Sequence, residues 1–367
     1  MAQDSQAVGL TPSDPIHGHV LSEKSKQLDR DTFVFFPTTM TPTILLFGLN
    51  QKLTPMSPVK LYRWIQTMSA GRTLPFFLCP AEIETYGIFC YYIHPNGPFL
   101  EPDSEELLPP GNYAWYEDRN CKTAKDTFLY GVEEAFKDTE KGVERLRKLY
   151  RISPDLQKSI LARDSRRCRV TDSTEDVILT WIVPPPWAWA MVRSDDPPNF
   201  DSSPFLVPEN IIILRKELKV HFYNHNFAVD VDDDFRIVVF RDMGAEQALL
   251  PTRLASDNST MAEFLRVHFR ATLNFMLLGG DISDTYPPGK ILSMMDELGV
   301  GDDNTDDDMV PLSDERWQTE LGKAILADHL QSRMLDEDSD SSAEGSGVEE
   351  STEFYEGAVG SDESDND

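Results

Sequence analysis

Short aromatic and β-branched runs, separated by Pro and Gly, set the pattern of the first third of the chain. Between residues 31 and 116, DTFVFFP, PTILLFGL, TLPFFLC and YGIFCYYI predict strands. One helix interrupts them. In SPVKLYRWIQTMSAG, Ser57 suits a cap, Pro58 suits the first helical position, and Leu61, Trp64, Ile65 and Met68 form one apolar face, with Gly71 closing the segment. HPNG at 94–97 reads as a turn, which makes His94 a turn residue.

The period changes after residue 121. Phe128, Leu129, Val132 and Phe136 are three or four apart and predict connecting helices up to Arg151. Ser153-Pro154 starts a further helix with Leu156, Ile160 and Leu161 on one face. Later, Met261, Phe264, Leu265, Phe269, Leu273 and Met276 form a helical stripe ended by Gly279-Gly280, with His268 beside it as a core or boundary histidine. SDERWQTELGKAILADHLQSRML predicts one more amphipathic helix carrying Trp317, Leu321, Ala324, Ile325 and Leu330.

These segments predict an α+β chain. Residues 1–28 mix polar residues without apolar periodicity and read as a disordered arm, in which His17 and His19 are incidental. A small N-terminal α+β domain with connecting helices spans 29–150, a second domain 151–280, and C-terminal helices 281–334. Residues 335–367 are too charged and too poor in apolar residues to fold alone and read as a disordered acidic tail.

Charge narrows the functional classes. The net charge is −29; the tail holds 13 acidic side chains and no Lys or Arg, so 13 of the 29 lie there and −16 remains on the other residues. Non-specific nucleic-acid binding by the whole chain is disfavoured, because phosphate backbones attract cationic surfaces. Any nucleic-acid contact is expected at a local strip, Arg163, Arg166, Arg167 and Arg169, with Trp181, Trp187 and Trp189 near it in sequence. The tail offers a second partner class, basic proteins, and its Asp- and Glu-flanked serines suit an acidophilic kinase. Four Cys without a Cys-x-x-Cys pair read as reduced thiols. There is no secretory start and no apolar run of membrane-spanning length, so the expectation is an intracellular, nuclear or cytoplasmic protein without membrane attachment.

Residues 161–240 carry the densest motif. Arg163, Asp164, Cys168 and Thr171 form a basic Cys-x-x-Thr block, read as a strand. ILTWIVPPPW follows as a second strand, PENIIILRKEL as an Asn-led helix, and NFAVDVDDDFRIVVF as a hairpin. In this order they resemble the HNH nuclease domain found in many fungal proteins, over roughly 153–300. The resemblance implies a strand-strand-helix unit that holds one divalent metal, a His on the strand that activates water, and a bracing Asn.

Asn210 fits the bracing position. Trp181 stands where the resemblance places the water-activating His, and Lys219 where it places the last metal-binding His. Indole has no basic lone pair, and an ammonium repels a cation. Phe222-Tyr223 replaces a Phe-Asp pair and removes a carboxylate. The leading expectation is therefore a catalytically degenerate module of the HNH nuclease-like family, acting by binding and needing no cofactor. The alternative is a metal-dependent endonuclease with a rebuilt centre. His221 and His225, four apart, would hold the divalent metal, with Asp230, Asp232, Asp233 and Asp234 adding oxygen ligands. Without a metal, the same carboxylates read as a solvated hairpin turn.

Overall fold

The computed structural model describes residues 19–37, 44–69, 76–88, 90–121, 151–192, 200–254, 260–286, 288–297, 313–319 and 321–327. The connecting helices expected over 122–150, and the acidic tail, lie outside the described residues. The chain is α+β and divides into a unit that ends at Ile291 and a second that starts at Leu292.

The first unit contains a five-stranded mixed sheet. It consists of β1 (Thr32–Phe36), β2 (Ile44–Leu49), β3 (Phe77–Gly87), β4 (Cys90–Pro95) and β5 (Gly111–Tyr116), in the order β2-β1-β5-β3-β4. Only the β1–β5 pairing is parallel. The unbroken apolar run of β1 has a direct cause: every residue of the strand is buried, with Phe33 and Phe35 on one face and Val34 and Phe36 on the other. His94 lies on β4, paired with Glu82 of β3, and not in a turn.

Helix α2 (Pro58–Met68) buries the stripe Leu61, Trp64, Ile65 and Met68 as its spacing predicts. Ser57 has the extended backbone of a cap and accepts from Leu61 N through its carbonyl; its hydroxyl makes no capping bond. The core beneath α2 is shared across the expected boundary at residue 150, because Ala228, Val238, Phe240, Phe269 and Leu273 pack into it as well.

The arm expected to reach residue 28 is ordered from His19 onward. His19 is buried edge-on against Phe33, Phe35 and Tyr91, and Ser22 caps α1 (Glu23–Gln27) by accepting from Ser25 N. This segment seals the end of α6 (Ala262–Leu277). Lys24 donates to Leu278 O, Ser25 to Gly280 O, and Arg30 to Met276 O and Gly279 O. Cations and donors at the carbonyl end of a helix satisfy its orphan acceptors and complement its dipole. Gly279 turns the chain there with φ +70°, and a Cβ on it would lie 1.8 Å from Asp284 Oδ1.

The motif region is a strand-strand-helix unit: β6 (Val177–Trp181), β7 (Ile211–Arg215) and α5 (Lys216–Tyr223). It is preceded by α3 (Pro154–Arg163), capped by Ser153, and followed by the hairpin of β8 (Phe227–Asp230) and β9 (Arg236–Val239). Two expectations are corrected. Cys168–Thr171 is a turn, not a strand, and Asn210 leads into a strand, not a helix. The β-branched run Ile211–Ile213 pairs with β6, which leaves the helix to begin at Lys216. Between β6 and β7 lies a short helix, α4 (Ala188–Val192).

In the second unit, residues 321–327 are helical, and Trp317, Leu321 and Ile325 are buried. Arg316 pairs with Glu297 and Asp314. Among the described residues no helix is long and apolar enough to cross a membrane.

Candidate functional site: the strand-strand-helix unit

The frame around Asn210 is closely bonded. Its side-chain amide donates to Val183 O at 2.7 Å and Phe205 O at 2.8 Å, its Oδ1 accepts from Val183 N at 2.8 Å, and its carbonyl accepts from Ile182 N at 2.9 Å. It is fully buried and braces the loop that leaves β6. A second brace comes from Arg163. It grips Asp164 through two bonds of 2.6 Å and donates to the carbonyls of Pro208 and Ile211. Cys168 closes the turn before β6, its sulfur accepting from Thr171 N and Arg215 N.

The register of β6 and β7 decides where each motif residue points. Trp181 pairs with Ile211 and Leu179 with Ile213, so these side chains share one face, which packs on Ile160 of α3. The other face presents Thr180, Ile212 and Leu214 to α5, which contributes Leu218 and Phe222. Trp181, 1% exposed, is thus a core residue on the side away from α5. Its neighbour Thr180 is the strand residue that faces the helix. Tyr223 lies against Thr180 and the Trp181 main chain, and burial pushes its phenol above the ordinary range. Lys219 extends over the Tyr223 ring, 5.6 Å from its centroid. Tyr223 and Thr180 occupy the space beside α5.

The spacing of His221 and His225 does not place them on one helix face. α5 ends at Tyr223, and His225 sits beyond it in the left-handed region with φ +58°. His221 Nδ1 meets Asn226 Nδ2 at 2.8 Å, whereas His225 Nδ1 meets Thr272 Oγ1 at 2.7 Å. Because Thr272 gives its own proton to His268 O, His225 is the donor to Thr272. His225 instead stacks on buried His268, which lies face to face with Phe222 at 3.9 Å.

The carboxylates that follow are committed to arginines. Asp230 is buried and accepts from Arg63 at 2.6 Å and Trp64 Nε1 at 3.0 Å. Burial nevertheless holds its pKa above the ordinary value, outweighing the pull of Arg63. Asp232 pairs with Arg266, Asp233 with Arg236 and Arg253, and Asp234 with Arg253. The hairpin turn is a network that ties α2 and α6 to β8–β9, not a free solvated loop. Among the described residues no group of three or more His, Cys, Asp or Glu is placed to share a metal ion.

The basic strip is also largely committed. Arg163 and Arg169 both reach Asp164, and Arg167 pairs with Asp172. Arg166 is exposed and, alone of the four, has no ion pair among the described residues; its backbone and that of Ser165 are left-handed, with φ of 58° and 51°. Trp187 and Trp189 are half-buried. No protein-family model matches the chain, and no curated protein matches it.

Proposed function

We propose that the chain is a non-cutting relative of the fungal HNH nuclease-like proteins, in which the strand-strand-helix unit serves as a folded binding module. The observation that carries this reading is the orientation of Trp181. The position where the resemblance expects a water-activating imidazole holds an indole packed among Ile160, Ile211 and Ile213, on the face of β6 away from α5. Lys219 brings a cation where a metal ligand is expected, and Tyr223 brings a phenol where a carboxylate is expected. The bracing Asn210 is retained, and its bonds serve the fold whether or not a metal is held. Free Cys79, Cys121 and Cys168 accord with a reducing intracellular compartment.

Arg163, Arg167 and Arg169 at the first motif block are all engaged within the fold, with Asp164 or Asp172, so sequence-independent nucleic-acid binding by that strip is a minor part of this reading. Supercoiled plasmid incubated with the purified full chain and Mg²⁺, Mn²⁺, Ni²⁺ or Zn²⁺ is expected to remain supercoiled. Metal-dependent nicking that disappears in a His221→Ala, His225→Ala variant would establish the rebuilt nuclease instead.

A further inference from the structure

Cys79 and Cys121 are far apart in the chain and neighbours in the fold. Cys79 lies on β3 directly opposite Ala114 of β5, so its side chain shares the sheet face that carries Ala114 and Tyr116; Leu78 and Trp115 point the other way, into the core beneath α2. After Tyr116 the chain doubles back. Asp118 accepts from Asn120 N on its carboxylate and from Cys121 N on its carbonyl. Cys121 takes a left-handed backbone, φ 59°, uncommon for a residue with a Cβ. The turn brings it back to the same face, where it packs on the cluster of Cys79, Ala114 and Tyr116.

The two thiols differ in reach. Cys79 is fully buried, and burial first, then the neighbouring Cys121, pushes its thiol up to about 11. The Tyr116 phenol is raised by burial and then by both thiols, which puts the two sulfurs and the phenol oxygen within electrostatic reach of one another. Cys121 is half-buried, so it is the member of the pair that a small oxidant meets first. Cys168 packs in the separate core around β7 and α5 and does not compete for either.

We infer that Cys79 and Cys121 are a redox pair that closes to a disulfide and pins the chain at residue 121 to the central strands of the sheet. The oxidant is a low-molecular-weight disulfide of the glutathione class. The Cys121 thiolate attacks one of its sulfurs, that S–S bond breaks, and one glutathione leaves and takes a proton. Cys79 then gives its proton to water and attacks the Cys121 sulfur; the protein S–S bond forms and the second glutathione leaves as a thiol. Two protein thiols lose two electrons and the small disulfide is reduced to two thiols. The high pKa of Cys79 makes its attack the slow step, so closure speeds up as the pH rises. The pair uses none of the motif residues, so it stands whether or not the chain cuts nucleic acid.

Equilibrating the native full chain across a series of reduced-to-oxidised glutathione ratios, alkylating the remaining thiols and mapping peptides under non-reducing conditions tests the assignment. The expected result is a peptide joining Cys79 to Cys121, loss of alkylation at both, Cys168 remaining free, and faster closure at higher pH. Cys79→Ala is expected to accumulate glutathione on Cys121, and Cys121→Ser to leave Cys79 reduced. The wild-type map carries the test even if neither variant folds. Wild type that holds glutathione on Cys121 without closing, that shows no oxidation at any ratio, that joins Cys79 to another cysteine, or that forms the bond only in urea overturns the proposal.

Discussion

Trp181→Ala is expected to lower the unfolding free energy by about 3–5 kcal/mol, the range for removing a large aromatic side chain from a packed core. The indole is 1% exposed and fills the space between α3 and the β6–β7 pair, bounded by Ile160, Ile211 and Ile213. Small side chains there leave a cavity that two strands and a capped helix can close only in part. Urea unfolding reads the loss as a fall in midpoint at unchanged slope. Trp181→Phe should recover much of it, because a ring of similar shape still fills the space. A change within about 0.5 kcal/mol, typical of a surface residue, would mean that the indole is free to stack on a ligand and that its buried position is wrong.

The second large effect is acid sensitivity from the stacked pair His225 and His268. Burial draws His225 down to about 4 and fully buried His268 well below the ordinary histidine range, where the nearby His225 lowers it further. Both are therefore neutral in the folded chain under conditions where the unfolded chain takes up protons. Their contribution is complete above the unfolded value of about 6.5 and falls as the pH drops from there towards 4. For two such groups the loss is about 3 kcal/mol or more, allowing for the partial exposure of His225.

Asp284 works in the opposite sense over part of the same range. Burial raises it to about 6, so the folded chain takes up a proton there before the unfolded chain does. A comparison isolates the histidines: the stability difference between wild type and a His225→Gln, His268→Gln variant should shrink by about 3 kcal/mol between pH 7 and pH 4. A difference that stays constant across that range would show that neither imidazole is held neutral by the fold.

Much of the local structure was readable because it follows local rules. The stripe on α2, the Ser153-Pro154 start of α3, the buried run of β1 and the Gly279 stop after α6 all follow from period, capping and glycine chemistry. The misread pieces have physical reasons. The spacing from Asn210 to Lys219 reads as one helix, but Ile211–Ile213 is a β-branched run with a partner strand available. The β-branched run is a local strand signal that motif spacing does not carry. Spacing also identified Trp181 without identifying its face; in a strand, a shift of one residue turns a side chain to the opposite side, and Thr180 is the residue that meets α5.

Long-range pairings left no local trace at all. His19, Ser25 and Arg30 sit in a polar, aperiodic segment, yet they cover β1 and the end of α6 some 250 residues away. Asp230 belongs to an acidic run that looks solvated, while its partners Arg63 and Trp64 lie in α2. Trp64 was legible only as part of an apolar stripe.

On the proposed reading, the strand-strand-helix unit has no centre able to hold a catalytic metal. Thermal unfolding of the full chain across a titration of Mg²⁺, Mn²⁺, Ni²⁺ and Zn²⁺ tests it most directly, since a metal held only by the folded state must stabilise it. No saturable rise in Tm is expected with any of the four. A saturable rise that is abolished by His221→Ala or His225→Ala would contradict it.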